Sequence, residues 1–118
     1  MASLIRGRRI VGASPSLPKG EVLRLEPGDD PASVADRLPG AAWVEVSFPK
    51  FGDGRGYSLA RLLRERYGYR GELRAVGQVT RDNLQLLERC GFDAFLLRDG
   101  EDPREALRGF EDFSASYQ

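Results

Sequence analysis

Apolar residues along the chain form short runs that alternate with segments of helical periodicity. Four of these runs contain β-branched or aromatic residues and are bounded by turn residues, which is typical of strands. They cover residues 21–26, 42–48, 72–76 and 93–97. Residues 1–20 precede them as a short N-terminal arm and a loop rich in Pro and Gly, and the arm is either an edge strand or disordered.

Each predicted strand is followed by a residue that suits the start of a helix. Asp30 and Asp102 each precede a proline, whereas Ser58 and Thr80 precede apolar residues at helical spacing. Such side chains cap helices by accepting backbone N–H bonds, and proline is favoured at the first helical position. The four predicted helices end at about Leu38, Tyr67, Cys90 and Phe113.

Four consecutive strand–helix units predict one α/β domain over residues 21–118, built on a parallel sheet. Parallel neighbours must be joined by right-handed crossovers, and helices fill those crossovers. Both an open sheet and a half-barrel satisfy this pattern. A half-barrel would leave two unpaired edges and an exposed interior face, which would favour a homodimer. Trp43, near the start of the second strand, is expected in the core.

The composition argues against several functional classes. The chain has 18 basic and 18 acidic residues, so neither nucleic acid nor an anionic membrane is an expected partner. Cys90 is the only cysteine and histidine is absent, so we expect no disulfide, metal site or other intrinsic cofactor. The first residues contain neither a signal-peptide core nor a membrane span, so the expected location is the cytoplasm.

A glycine-rich connection, residues 49–57, joins the second predicted strand to its helix. Glycines let backbone N–H groups approach a ligand, and the start of a helix attracts anions. The candidate anion-binding or docking residues are Lys50, Gly52, Gly54, Arg55, Gly56 and Ser58. Asp53 and Tyr57 are the candidates for proton transfer. The spacing matches neither the dinucleotide fingerprint nor the nucleotide P-loop. The alternative is a tight turn in which Asp53 pairs with Arg55 or with a neighbouring helix.

Several longer motifs resemble one bacterial family. They are Phe48-Pro-Lys-Phe-Gly-Asp-Gly-Arg-Gly-Tyr-Ser58, residues 60–69, Gly71-Glu-Leu-Arg-Ala-Val-Gly77, Arg89-Cys-Gly-Phe-Asp-Ala-Phe95 and Phe113-Ser-Ala-Ser-Tyr-Gln118. Together they look like the family catalogued as domain of unknown function nine-three-four, and the similarity runs from about Leu23 to Gln118. The chain departs from the family's usual pattern in its shorter N-terminal region and in Asn83, where glutamine is usual.

The resemblance implies a role in sulfur metabolism. Members of the family are commonly labelled as oxidoreductases of sulfite reduction because their genes lie beside that of sulfite reductase. The absence of a cofactor fingerprint in this sequence instead favours an accessory protein that docks to or supports sulfite reductase or another enzyme of sulfate assimilation. The alternatives are a small enzyme or sensor that binds an anionic metabolite at the same loop, and a folding factor without a ligand.

Overall fold

The computed structural model describes residues 3–12, 20–50 and 54–111. These residues form a mixed α/β structure with one open, six-stranded sheet. The strands are β1 (Leu4–Arg6), β2 (Arg9–Gly12), β3 (Glu21–Leu25), β4 (Ala41–Phe48), β5 (Leu73–Gly77) and β6 (Ala94–Leu96). The α-helices are α1 (Arg55–Glu65), α2 (Leu84–Arg89) and α3 (Pro103–Leu107), and two 3₁₀ helices are η1 (Pro31–Gly40) and η2 (Arg81–Asn83). None of the helices in these ranges is long and apolar enough to cross a membrane.

The strand order is β2-β1-β6-β5-β4-β3. The four strands predicted from the sequence, β3 to β6, are parallel and lie side by side in chain order. The expectation of an entirely parallel sheet is wrong, because the N-terminal arm forms a hairpin that adds β1 and β2 as antiparallel strands beside β6. The hairpin turns at Gly7, which has a φ of 63°, a conformation that glycine adopts at little cost.

The helices pack on one face of this sheet. A right-handed crossover between neighbouring parallel strands places every connecting helix on the same side, and the burial pattern agrees. The row Leu25, Val46, Ala75, Phe95 and Ile5 crosses five strands in register. All five residues are at most 3% exposed. They share one core with buried helical residues, among them Val34, Leu38, Leu59, Leu63, Leu84, Leu87 and Phe110.

The capping residues explain where most helices begin. Three predicted caps are confirmed. Asp30 accepts the N–H of Ala32 at 3.0 Å, and Thr80 accepts that of Asp82 at 3.3 Å. Asp102 accepts the N–H of Arg104 at 2.9 Å. The segment after Asp30 is a 3₁₀ helix, and it contains Pro39 near its end. Proline cannot donate a backbone hydrogen bond and does not fit the interior of an α-helix, which limits how regular this segment can be.

Arg64 joins two connections at the amino edge of the sheet. Its Nε donates to Gly91 O at 2.9 Å, and its Nη1 donates to Tyr69 O and Gly71 O at 2.9 and 2.8 Å. The same guanidinium lies 5.5 Å from the centre of the Tyr69 ring. One side chain of α1 therefore fixes the segment that leads into β5 and the segment that leads into β6.

We predict that Arg64→Lys lowers the free energy of unfolding by about 2–4 kcal/mol, since an ammonium group cannot reach three carbonyl oxygens in the fork geometry of a guanidinium. Arg66→Lys is the matched control, because Arg66 is exposed at the end of the same helix. Denaturant unfolding of both variants provides the measurement. Equal stability losses for the two variants would contradict the role given to Arg64.

Candidate functional site

Four connections leave the carboxyl ends of the parallel strands and lie near the amino end of α1. Gln78 N donates to Phe48 O at 2.7 Å, which links the connection after β5 to the end of β4. Arg98 follows β6, and its Nη1 lies 3.3 Å from Gln78 Oε1. On the other side, Arg55 Nη1 would lie 3.1 Å from a Cβ atom added to Gly28. The fold therefore brings residues from all four connections to one edge, where ligands of α/β proteins commonly bind.

The amino end of α1 lies at the centre of this edge. The helix begins at Arg55, with Gly54 as its N-cap at φ −79° and ψ −5°. The prediction that Ser58 caps this helix is wrong: Ser58 lies inside the helix, and its N–H lies 3.4 Å from Gly54 O. The helix starts one turn earlier because residues 55–57 already adopt helical geometry. The backbone N–H of Ser58 is consequently used within the helix, so only its hydroxyl could contact a ligand.

Gly54 and Gly56, two glycines of the predicted site, differ in their surroundings. A Cβ atom on Gly56 would lie 2.5 Å from Phe48 Cε2, so this glycine lets α1 pack directly on β4. A Cβ atom on Gly54 would meet nothing within 4 Å. Gly56 is therefore required by packing, whereas none of the residues that the structure describes fills the space beside Gly54. Gly52 and Asp53 lie outside the described residues, and so does the alternative of a tight turn in which Asp53 pairs with Arg55.

The electrostatic character of this helix start favours an anion. The first turn of α1 contains no acidic residue, and no described side chain caps Gly54. Arg55 and Lys50 are both exposed, at the first residue of α1 and just after β4. The first N–H groups of a helix lack intrahelical acceptors and carry partial positive charge. The first turn of α1 thus combines two nearby basic side chains with backbone N–H groups and carries no acidic residue of its own.

Tyr57 is oriented by contacts on two sides. Its ring lies 5.1 Å from the Phe48 ring, and its hydroxyl forms a hydrogen bond with the Asn83 side chain. Burial raises the pKa of Tyr57 above its usual value of 10.0, so the phenol stays protonated at neutral pH. Tyr57 can therefore donate a hydrogen bond to a ligand, but at this pH it is not a general base.

Asn83 is a structural residue of this edge that the candidate list from the sequence lacks. Its Oδ1 accepts the N–H of Thr80 at 3.0 Å, and its Nδ2 donates to Gln78 O at 2.8 Å. With the Thr80 cap, these contacts complete a capping box at η2. The spacing Thr-x-x-Asn is a variant of the known capping-box pattern, so the sequence did contain the signal.

The one cysteine lies away from this edge, at the other end of a helix. Cys90 is buried at the end of α2, and the pKa of Arg61 is raised by a hydrogen bond with this cysteine. Cys90 is therefore part of the packed core. In the described part of the chain, no group of three or more Cys, Asp or Glu side chains is placed to hold a metal ion.

The fold and the site together define a mixed α/β domain whose open sheet presents the positively charged start of a helix at its carboxyl edge. The chain belongs to the family of bacterial proteins of unknown function called DUF934, whose model matches residues 22–118. The match begins within β3, so it includes the parallel strands and their helices and leaves out the β1–β2 hairpin. Searches of curated proteins and of solved structures found no match to the chain.

We predict that Gly56→Ala lowers the free energy of unfolding by about 1–3 kcal/mol, because its methyl group overlaps the Phe48 ring. The gain in helix propensity, about 1 kcal/mol, offsets only part of this loss. Gly54→Ala is the control and should cost about 0.5 kcal/mol, the difference between glycine and alanine at an N-cap. Thermal or denaturant unfolding measures both, and a larger loss for Gly54→Ala would contradict the packing role assigned to Gly56.

Proposed function

We propose that this protein is an accessory component of assimilatory sulfite reduction that binds an oxyanion at the amino end of α1. The site comprises the first-turn N–H groups of residues 55–57 and the side chains of Arg55 and Lys50. The observation that carries the proposal is the open, positively charged start of this eleven-residue helix at the carboxyl edge. In this role the protein acts in the cytoplasm beside sulfite reductase or another enzyme of sulfate assimilation.

The chemistry of the site supports an oxyanion in particular. A sulfite, sulfate or phosphate group has three or more oxygens that accept hydrogen bonds from N–H groups and guanidinium at the same time. The open space beside Gly54 gives such a group room to approach the helix. The resemblance to a family labelled with sulfite reduction supports the choice of sulfur oxyanions among these ligands.

A second candidate is a small enzyme or sensor that binds an anionic metabolite at the same place. The position of Tyr57 favours this alternative, because the fold orients its protonated hydroxyl through Asn83 and Phe48. A phenol held in this way could donate a proton or a hydrogen bond to a bound anion. Turnover by the isolated protein that is lost in Tyr57→Phe, with anion binding retained, would favour the enzyme over the accessory protein.

Thermal unfolding in the presence of sulfite, sulfate, phosphate and adenylylsulfate tests the anion site. A ligand at one hundred times its Kd stabilises the folded state by about 2.7 kcal/mol, and we predict stabilisation of about this size by at least one sulfur oxyanion. Arg55→Ala and Lys50→Ala should reduce the stabilisation. Arg66→Ala is the matched control, since it removes the same charge at the other end of α1.

The outcomes separate the site from a general effect of salt. An equal response of Arg55→Ala and Arg66→Ala would contradict an anion site at the start of α1, and so would the absence of any shift. Copurification of sulfite reductase with the untagged protein tests the accessory role separately. Separation of the two proteins by gel filtration at micromolar concentrations would overturn a stable complex.

A further inference from the structure

The face of the sheet opposite the helices carries a row of charged side chains. Arg24, Glu45 and Arg74 lie in register on β3, β4 and β5, and Arg6 on β1 extends the row beyond Ala94. Trp43 lies beside this row on β4 and is half-buried. No described helix packs on this face, because the buried helical residues all share the core on the other side. Ala94 and Leu4 on this face are buried, whereas Arg24 and Arg6 at the two sides of the row are exposed.

The charged residues form one connected network. Trp43 Nε1 donates to Glu45 Oε1 at 2.9 Å, and Arg24 Nε lies 3.3 Å from Glu45 Oε2. The Arg74 guanidinium stacks 4.0 Å from the centre of the indole ring, and its Nε donates to Glu72 at 2.8 Å. Glu72 also accepts from Arg6 Nε at 2.9 Å. The network holds Trp43 in a fixed orientation between strands.

The cationic groups of this network are the ones that reach solvent. The side chains of Arg24 and Arg6 are 71% and 51% exposed, whereas those of Glu45 and Glu72 are each 17% exposed. Arg74 is only 3% exposed. The carboxylates therefore lie beneath the arginines, and the outer surface presents two guanidinium groups around an indole. Three arginines against two glutamates also leave the network with a net positive charge.

We propose that this face is a docking surface for an acidic segment of a partner protein. Arg24 and Arg6 would bind its carboxylates, and Trp43 would contact its apolar atoms. Arginine and tryptophan are enriched among the residues that dominate the energetics of protein interfaces. This surface lies on the opposite side of the sheet from α1, so the proposal is independent of the anion site.

The same observations disfavour two other occupants. A second copy of this face would bring exposed arginines against exposed arginines, and like charges in an interface are unfavourable. A single-stranded nucleic acid would need to stack a base on Trp43, but Arg74 already covers one face of the indole. The balanced charge of the whole chain gives nucleic acid no long-range attraction either.

The fluorescence of Trp43 reports directly on this surface, because the chain has one tryptophan. Titration of the protein with poly-L-glutamate at low salt should change the tryptophan emission, and about 1 M salt should reverse the change because it shortens the screening length to about 3 Å. Arg24→Ser should weaken binding by about threefold, the size typical of an exposed ion pair. Arg104→Ser is the control, since it removes the same charge from an exposed position on α3.

Each outcome decides for or against the proposal. A change in emission that Arg24→Ser weakens and Arg104→Ser does not would support it. The absence of a response to poly-L-glutamate, or equal effects of the two variants, would overturn it. A stronger response to a single-stranded oligothymidylate would assign the surface to nucleic acid instead, and emission that depends on protein concentration alone would assign it to a second copy.

Discussion

The parallel, sequential order of β3 to β6 is the constraint on which the rest of this structure depends. Because each right-handed crossover turns the same way, every connecting helix must lie on one face of the sheet. The same order brings the four carboxyl ends to one edge and the four amino ends to the other. The core therefore forms on one side, the start of α1 is exposed at the carboxyl edge, and none of the described helices lies on the opposite face of the sheet.

The two edges of the sheet serve different purposes. At the amino edge, Arg64 donates hydrogen bonds to carbonyl groups of the connections that lead into β5 and β6. These bonds fix the spacing of α1, β5 and β6. At the carboxyl edge, Asn83 holds the connection after β5 and also contacts Tyr57. Stability and potential chemistry are thus separated along the strand direction, as is usual for parallel α/β folds.

The sequence predicted much of the parallel part of the fold because its signals are local. Runs of apolar residues between turn residues gave β3 to β6 within about two residues of their bounds, and Asp30, Thr80 and Asp102 marked three helix starts. The hairpin was harder to predict, since Leu4–Arg6 and Arg9–Gly12 are too short to show a period and depend on pairing with β6. Ser58 resembled a cap, but residues 55–57 before it are already helical, so the helix begins a turn earlier.

The candidate site was only partly predictable because burial and long-range contacts decide it. Nothing local distinguishes Gly54, beside open space, from Gly56, which touches Phe48. Trp43 was expected in the core, yet it lies on the same face of the sheet as Glu45, opposite the described helices. The two residues share this face because they are two positions apart on β4. Alternation along β4 does place both residues on one side, but only the sheet order shows which side the helices occupy.

The most direct test of the account is to follow the backbone amide resonances of isotopically labelled protein while sulfite is added. The account predicts that the amides of Arg55, Gly56 and Tyr57 shift first and saturate together, because the first N–H groups of a helix lack intrahelical acceptors. Shifts confined to another part of the protein, or no shifts at all, would contradict an oxyanion site at the start of α1.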